Sequence, residues 1–136
     1  MLPKVLVFLT VLALSLVPRL AHAETAEDML AGCRLIANAT VSDQKVNVPS
    51  DPDAYKCWGA FTVVLELTRY VAPSGSHLYV DICSPGSTTR MQMAAVFVAY
   101  VDSHPERRDY NFTMVAFDAL KAAFPCGTGR DMRKSP

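Results

Sequence analysis

The chain has 136 residues, with 13 basic and 13 acidic side chains and a formal net charge of zero. It contains four cysteines and is 51% hydrophobic. Removing an N-terminal targeting segment of 23 residues leaves 113, the length of one small domain. All the acids stay while Lys4 and Arg19 go, so that part carries a charge of −2. A nucleic-acid-binding domain would need a basic patch or stripe, and this balance excludes one.

The targeting segment is read from residues 1–23. Lys4 supplies a positive start, "VLVFLTVLALSLV" from Val5 to Val17 is an apolar run, and Pro18 breaks it. "AHA" at Ala21 to Ala23 then forms a cleavage signal ahead of Glu24. The run is shorter than the roughly 20 residues that span a bilayer. A secretory signal cut after Ala23 is the reading, with an exported product that has no membrane anchor after cleavage.

Helix 1 opens at "TAED", where Thr25 caps and Asp28 reaches back. Met29, Leu30, Cys33, Ile36 and Ala37 follow at helical spacing. Asn38 to Asp53 is rich in Asn, Ser, Asp and Pro and reads as a long loop. Helix 2 is expected over about Asp53 to Val71, with Cys57, Trp58, Phe61, Val64 and Leu65 inward. Its opposite stripe is Gly59, Thr62, Glu66 and Arg69. Glu66 and Arg69 form an i,i+3 surface pair or face a partner. "APSGSH" ends the helix, and Leu78 to Cys83 is one short extended segment.

Helix 3 begins with a second capping box, Thr89 with Gln92. Nearly every position from Met91 to Val101 is apolar, which suits a bundle centre or a homodimer interface. "DSHPERRDY", Asp102 to Tyr110, is a charged joint whose Pro105 ends one helix and whose Asp109 caps the next. Helix 4 is expected over about Asp109 to Phe124, with Tyr110, Met114, Phe117, Leu120 and Phe124 on its apolar side. Pro125 stops it, and residues 127–136 read as a flexible polar tail.

Four amphipathic helices without a convincing sheet predict an all-α fold, a small four-helix bundle over residues 24–126. Cys33, Cys57, Cys83 and Cys126 are an even set in an exported domain, which points to disulfides. Four cysteines allow three pairings. The short joint between helices 3 and 4 makes them antiparallel and brings Cys83 close to Cys126, leaving Cys33 with Cys57 as the preferred second pair.

Chemistry is sparse. His77 and His104 are the only histidines beyond the signal, and no serine lies in a G-x-S-x-G setting. The cysteines are better used in disulfides than as nucleophiles, and no spacing supports a metal site. No cofactor is called for. By elimination the chain is a binding protein rather than an enzyme.

The segments "LAGCRLIANA", "YKCWGAF", "DICSPGSTTRMQ", "AYVDSHPERR" and "DALKAAFPC" together resemble the Rap/Tai-type immunity proteins of bacterial type VI secretion. Ala60 and Val63 stand where that pattern has Tyr and Gly. The resemblance implies a periplasmic, helical, often dimeric protein that binds an incoming peptidoglycan amidase and blocks its cleft with projecting loops. The loops available are Asn38–Asp53, Ala72–Thr88 and Glu106–Asp109. Candidate partner-binding residues are Glu66 and Arg69, from the polar stripe of helix 2, with Glu106, Arg107, Arg108 and Asp109 from the third loop; no inhibitory residue is carried over from the family. An Hde-type acid-stress chaperone and a carrier for a small apolar ligand are the rival functions.

Overall fold

A computed structural model describes residues 23–70 and 80–127. The segment expected to be a signal, before Ala23, His77 with residues 71–79, and the tail after Gly127 lie outside them. Four α-helices make up the body: α1 (Ala26–Ala37), α2 (Pro52–Arg69), α3 (Arg90–Ser103) and α4 (Phe112–Ala123). The all-α bundle is therefore as expected. So are both disulfides, Cys33–Cys57 and Cys83–Cys126, with Cα atoms 5.2 and 4.9 Å apart.

Each helix starts where a side chain can take over the backbone donors that the first turn leaves free. In α1 the Thr25 hydroxyl accepts from Asp28 N–H, and the Asp28 carboxylate accepts from Thr25 N–H. Asp51 caps α2 by accepting from the N–H groups of Asp53 and Ala54, with Pro52 at the first position. Thr89 and Gln92 close the second capping box. Helices α1 and α3 form the central pair, and each packs against every other helix. Between them and their neighbours lie Phe61, Phe97 and Phe112, with ring centroids 5.1–6.1 Å apart. Their tilted and edge-on geometries are those that aromatic quadrupoles favour.

Helix α4 departs from expectation. It starts at Phe112, and its cap is Asn111, whose side-chain oxygen accepts from the N–H groups of Thr113 and Met114. Asp109 is an exposed turn residue instead. The reason lies in α1. Its first two N–H groups, on Ala26 and Glu27, donate to the carbonyls of Tyr110 and Arg108, and Phe112 N–H donates to Glu24 O, all at 2.9 Å. Backbone used in this way cannot also be helical, so residues 108–111 stay as a turn.

The shift changes the inward face. Phe112, Val115, Ala116, Ala119 and Leu120 are buried, while Met114 is 61% and Tyr110 51% exposed. Asn111→Ala is expected to cost about 1 kcal/mol as a lost cap, and Asp109→Ala to stay within about 0.5 kcal/mol. Urea unfolding of the two variants separates the assignments: a larger loss at Asp109 would return the cap to it.

Two other expectations are corrected. The Asn38–Asp53 loop contains an antiparallel hairpin, β1 (Thr40–Ser42) with β2 (Lys45–Asn47), registered Thr40 to Asn47 and Ser42 to Lys45. Asp43 and Gln44 turn it with φ of 49° and 62°, the left-handed pair that a two-residue hairpin turn requires. Trp58 is half-buried rather than core. In the extended segment, Val80 and Ile82 are buried and Asp81 exposed, an alternation without strand pairing among the described residues. Helix α3 turns Met93, Ala94, Phe97 and Val101 into the core, and its exposed strip is Gln92, Ala95, Ala99 and Asp102. Its apolar character is thus largely spent within one chain.

Candidate partner-binding surface

The charged joint closes on the fold itself. After α3, Pro105–Arg107 makes one 3-10 turn. Arg107 pairs with Asp118 of α4 and lies 4.7 Å from the Tyr110 ring centroid. Arg108 reaches Glu27 of α1 at 3.4 Å and Asp102 at 3.8 Å, and Asp102 also binds Arg34 at 2.5 Å. The Nε atoms of both arginines are buried. These side chains tie the α3–α4 joint to the start of α1, and of its four candidate residues Glu106 and Asp109 are the exposed ones.

Glu106 lies 3.2 Å from His104 Nδ1. Its carboxyl is held below the usual carboxylate range, chiefly by a hydrogen bond from its own backbone N–H, with His104 adding to it. His104 rests against Tyr100, 4.4 Å between ring centroids. Every cysteine is oxidised, so no thiol is available to this histidine. Among the described residues no group of His, Cys, Asp or Glu is placed to hold a metal ion, and no helix is long and apolar enough to cross a membrane.

Glu66 and Arg69 occupy a different region. They form an exposed i,i+3 pair at 3.1 Å, which by itself is worth at most a few tenths of a kcal/mol. Arg69, however, also lines a cleft of about 280 Å³ together with Val46 of the hairpin, Trp58 and Leu65 of α2, and Arg90 of α3. Within this lining the Arg90 guanidinium lies 4.0 Å over the Trp58 ring. Arg90 Nη1 donates to the Thr62 hydroxyl at 3.0 Å, and that hydroxyl donates to the Trp58 carbonyl at 2.8 Å. The stack is therefore held from below by α2.

The hairpin stands beside this cleft. All its strand residues are exposed except Val46, which faces inward. Asn47 Nδ2 donates to the hydroxyls of Thr40 and Ser42, which braces the two strands. The whole segment leaves α1 and enters α2 at a corner locked by Cys33–Cys57. A braced projection on a stapled base, next to a cleft with an aromatic–arginine stack, has the composition of a protein-recognition surface, where Trp, Tyr and Arg supply most of the energy.

The six candidate residues thus divide between two places. Arg69 lines the cleft, with Glu66 paired to it, while Glu106, Arg107, Arg108 and Asp109 belong to the α3–α4 joint. Sequence reading missed Arg90 and Val46 and placed Trp58 in the core. One signal for Arg90 was present: a cation in the first turn of a helix opposes the macrodipole, so helix stability does not explain it.

The family model for Rap1a immunity proteins matches residues 25–126. The chain belongs to the Rap1a immunity protein family. The match runs from the Thr25 cap to Cys126, so both disulfides and all four helices fall inside it. Rap1a proteins are typically non-catalytic, usually periplasmic, and work by binding a secreted effector. The match speaks for the Rap1a members and does not extend to Tai-type specificity. No curated protein and no solved structure matches the chain.

Proposed function

We propose that this Rap1a protein is exported to the periplasm by a cleaved N-terminal signal, and that it binds and blocks a type VI secreted peptidoglycan amidase there. The face that makes the contact is the hairpin with the Trp58–Arg90 cleft. The observation that supports this most is the stack itself: a half-buried tryptophan under an arginine, on an open cleft, beside a braced projecting segment. Blocking an enzyme's cleft requires a protrusion that loses little freedom on docking, and a two-residue turn with registered strands meets that need. Disulfides suit the same setting, since they persist in oxidising compartments. The α3–α4 joint plays the structural part, because Arg107 and Arg108 are already committed to carboxylates of the same chain. A homodimer through α3 would have to use the narrow strip of Gln92, Ala95 and Ala99.

The test is inhibition. The signal-free, oxidised protein is titrated into type VI amidases of each structural class acting on purified peptidoglycan. One class is expected to lose activity at a one-to-one ratio. Trp58→Ala should weaken that inhibition by roughly 30-fold, as a central aromatic anchor does. Full activity of every amidase at large excess of the protein, with none captured on it, would overturn the amidase reading.

A further inference from the structure

Five arginines lie among the described residues, and four have a carboxylate of this chain beside them. Arg34 has Asp102, Arg69 has Glu66, Arg107 has Asp118, and Arg108 has Glu27. Arg90 has none: its contacts are the face of Trp58 and the hydroxyl of Thr62. The end of α3 is already closed by its own capping box, so the cation is not needed to finish the helix. Among the described residues no aspartate or glutamate lines the cleft in front of it, whereas Arg69 adds a second guanidinium. A guanidinium has five N–H donors in a fixed fork, and the Thr62 bond uses one of them. Its orientation is fixed, and most of its donors remain for an anion.

We propose that this cleft receives an acidic segment of the effector, with a carboxylate bound to Arg90 and an adjoining apolar side chain against Trp58 and Leu65. The inference rests on the effector-binding reading above and adds the chemistry of the partner. The occupant is a protein segment and not a free anion. At about 280 Å³ the cleft is a socket for the tip of a projecting segment, and its apolar wall of Val46, Trp58, Leu65 and Met91 has no use for a small hydrated ion. Arg90 lies 4.0 Å over Trp58 with Thr62 as its one hydrogen-bond partner among the described residues, so N–H groups of its fork remain to bind both oxygens of a carboxylate at once.

Trp58 is the sole tryptophan of the chain, so its emission reports on this cleft. The probes are the blocked peptide Ser-Glu-Phe-Glu-Ser, its counterpart with lysine in place of both glutamates, and N-acetylglutamate. The glutamate peptide is expected to change the emission saturably, and added salt to weaken it. The lysine peptide should have no effect, and N-acetylglutamate should bind at least tenfold more weakly, about the loss that follows from removing the apolar contact. Arg90→Gln, checked by circular dichroism for an unaltered fold, should weaken the glutamate peptide about tenfold. No response to the glutamate peptide, equal responses to both peptides, equal binding of N-acetylglutamate, or unchanged binding in Arg90→Gln would each overturn the proposal. The wild-type arms decide the matter even where the variant folds poorly. Failure of these arms with amidase inhibition intact removes the acidic-segment inference alone. Absence of amidase inhibition leaves the peptide result standing.

Discussion

Replacing Cys33 and Cys57 together with alanine is expected to lower stability by on the order of 5 kcal/mol and to leave the domain largely unfolded at 37 °C. The pair closes a loop across a sequence separation of 24 residues, which in the chain-entropy model is worth about 3.5 kcal/mol. Both residues are fully buried in the main core cluster, so deleting the sulfurs also removes packing. The Cys83–Cys126 closure spans 43 residues and is worth about 4 kcal/mol in the same model. Its cysteines are only partly buried, so little packing is lost with them. The larger cost is therefore expected from the shorter loop, the reverse of what loop length alone would give. Net stabilities of small domains run to about 5–15 kcal/mol, so either loss is a large fraction of the whole. Urea unfolding of the two double variants, followed by circular dichroism, gives the order directly. A smaller loss for Cys33/Cys57 than for Cys83/Cys126 would mean that the buried pair adds nothing beyond chain closure.

Gly32→Ala is expected to cost about 3 kcal/mol or more, as overpacking against a rigid neighbour does. A Cβ at this position would lie 2.1 Å from the Asp53 carbonyl oxygen and 2.3 Å from its carbon. Both are backbone atoms at the start of α2, and the adjacent Cys33–Cys57 link prevents α1 and α2 from moving apart. The two helices can cross this closely only because residue 32 lacks a side chain. Gly59→Ala is the control, since a Cβ there meets nothing within 4 Å. Lying within α2, that substitution should stabilise by up to about 1 kcal/mol through helix propensity. The same chemical change at two helical glycines thus carries opposite signs. For a domain of this size the first should lower the thermal midpoint by on the order of 10–20 °C, and the second should raise it by a few degrees. A neutral Gly32→Ala would show that α1 and α2 are not in the close contact described.

These two results rest on features of unequal visibility in the sequence. The capping boxes at Thr25 and Thr89 were readable because Thr-x-x-Asp and Thr-x-x-Gln are local codes, complete within four residues. The disulfide pairing followed from a short joint that forces α3 and α4 antiparallel. The start of α4 was not readable, because what prevents residues 108–111 from being helical is the unsatisfied start of α1, some 80 residues away in the chain. The hairpin was hidden by its turn: Asp43–Gln44 adopts a conformation usually signalled by Asn-Gly or Asp-Gly.

The candidate surface was visible only in fragments. Glu66 and Arg69 stood out as a polar stripe on an apolar helix, yet their own pairing is a minor interaction. Their neighbours in space are Val46 and Arg90, which come from other segments and have no periodicity in common with α2. The charge-dense joint drew attention because it gathers Glu106, Arg107, Arg108 and Asp109 in one short run. In the fold, its two arginines are among the most fully partnered cations of the molecule. Density of charge in a sequence says little about availability; among the described residues the arginine without a carboxylate, Arg90, sits inside a capping box that is noticed for its Thr and Gln and not for its charge.

Which face of this Rap1a protein meets the effector is best measured by hydrogen–deuterium exchange of the chain alone and bound to its effector, the proposed amidase. Slowed exchange is expected over the Thr40–Asn47 hairpin and from Gly86 to Met91, with the Pro105–Asp109 joint unchanged. Protection confined to that joint, with the hairpin and the Trp58–Arg90 cleft exchanging as in the free protein, would contradict the assignment.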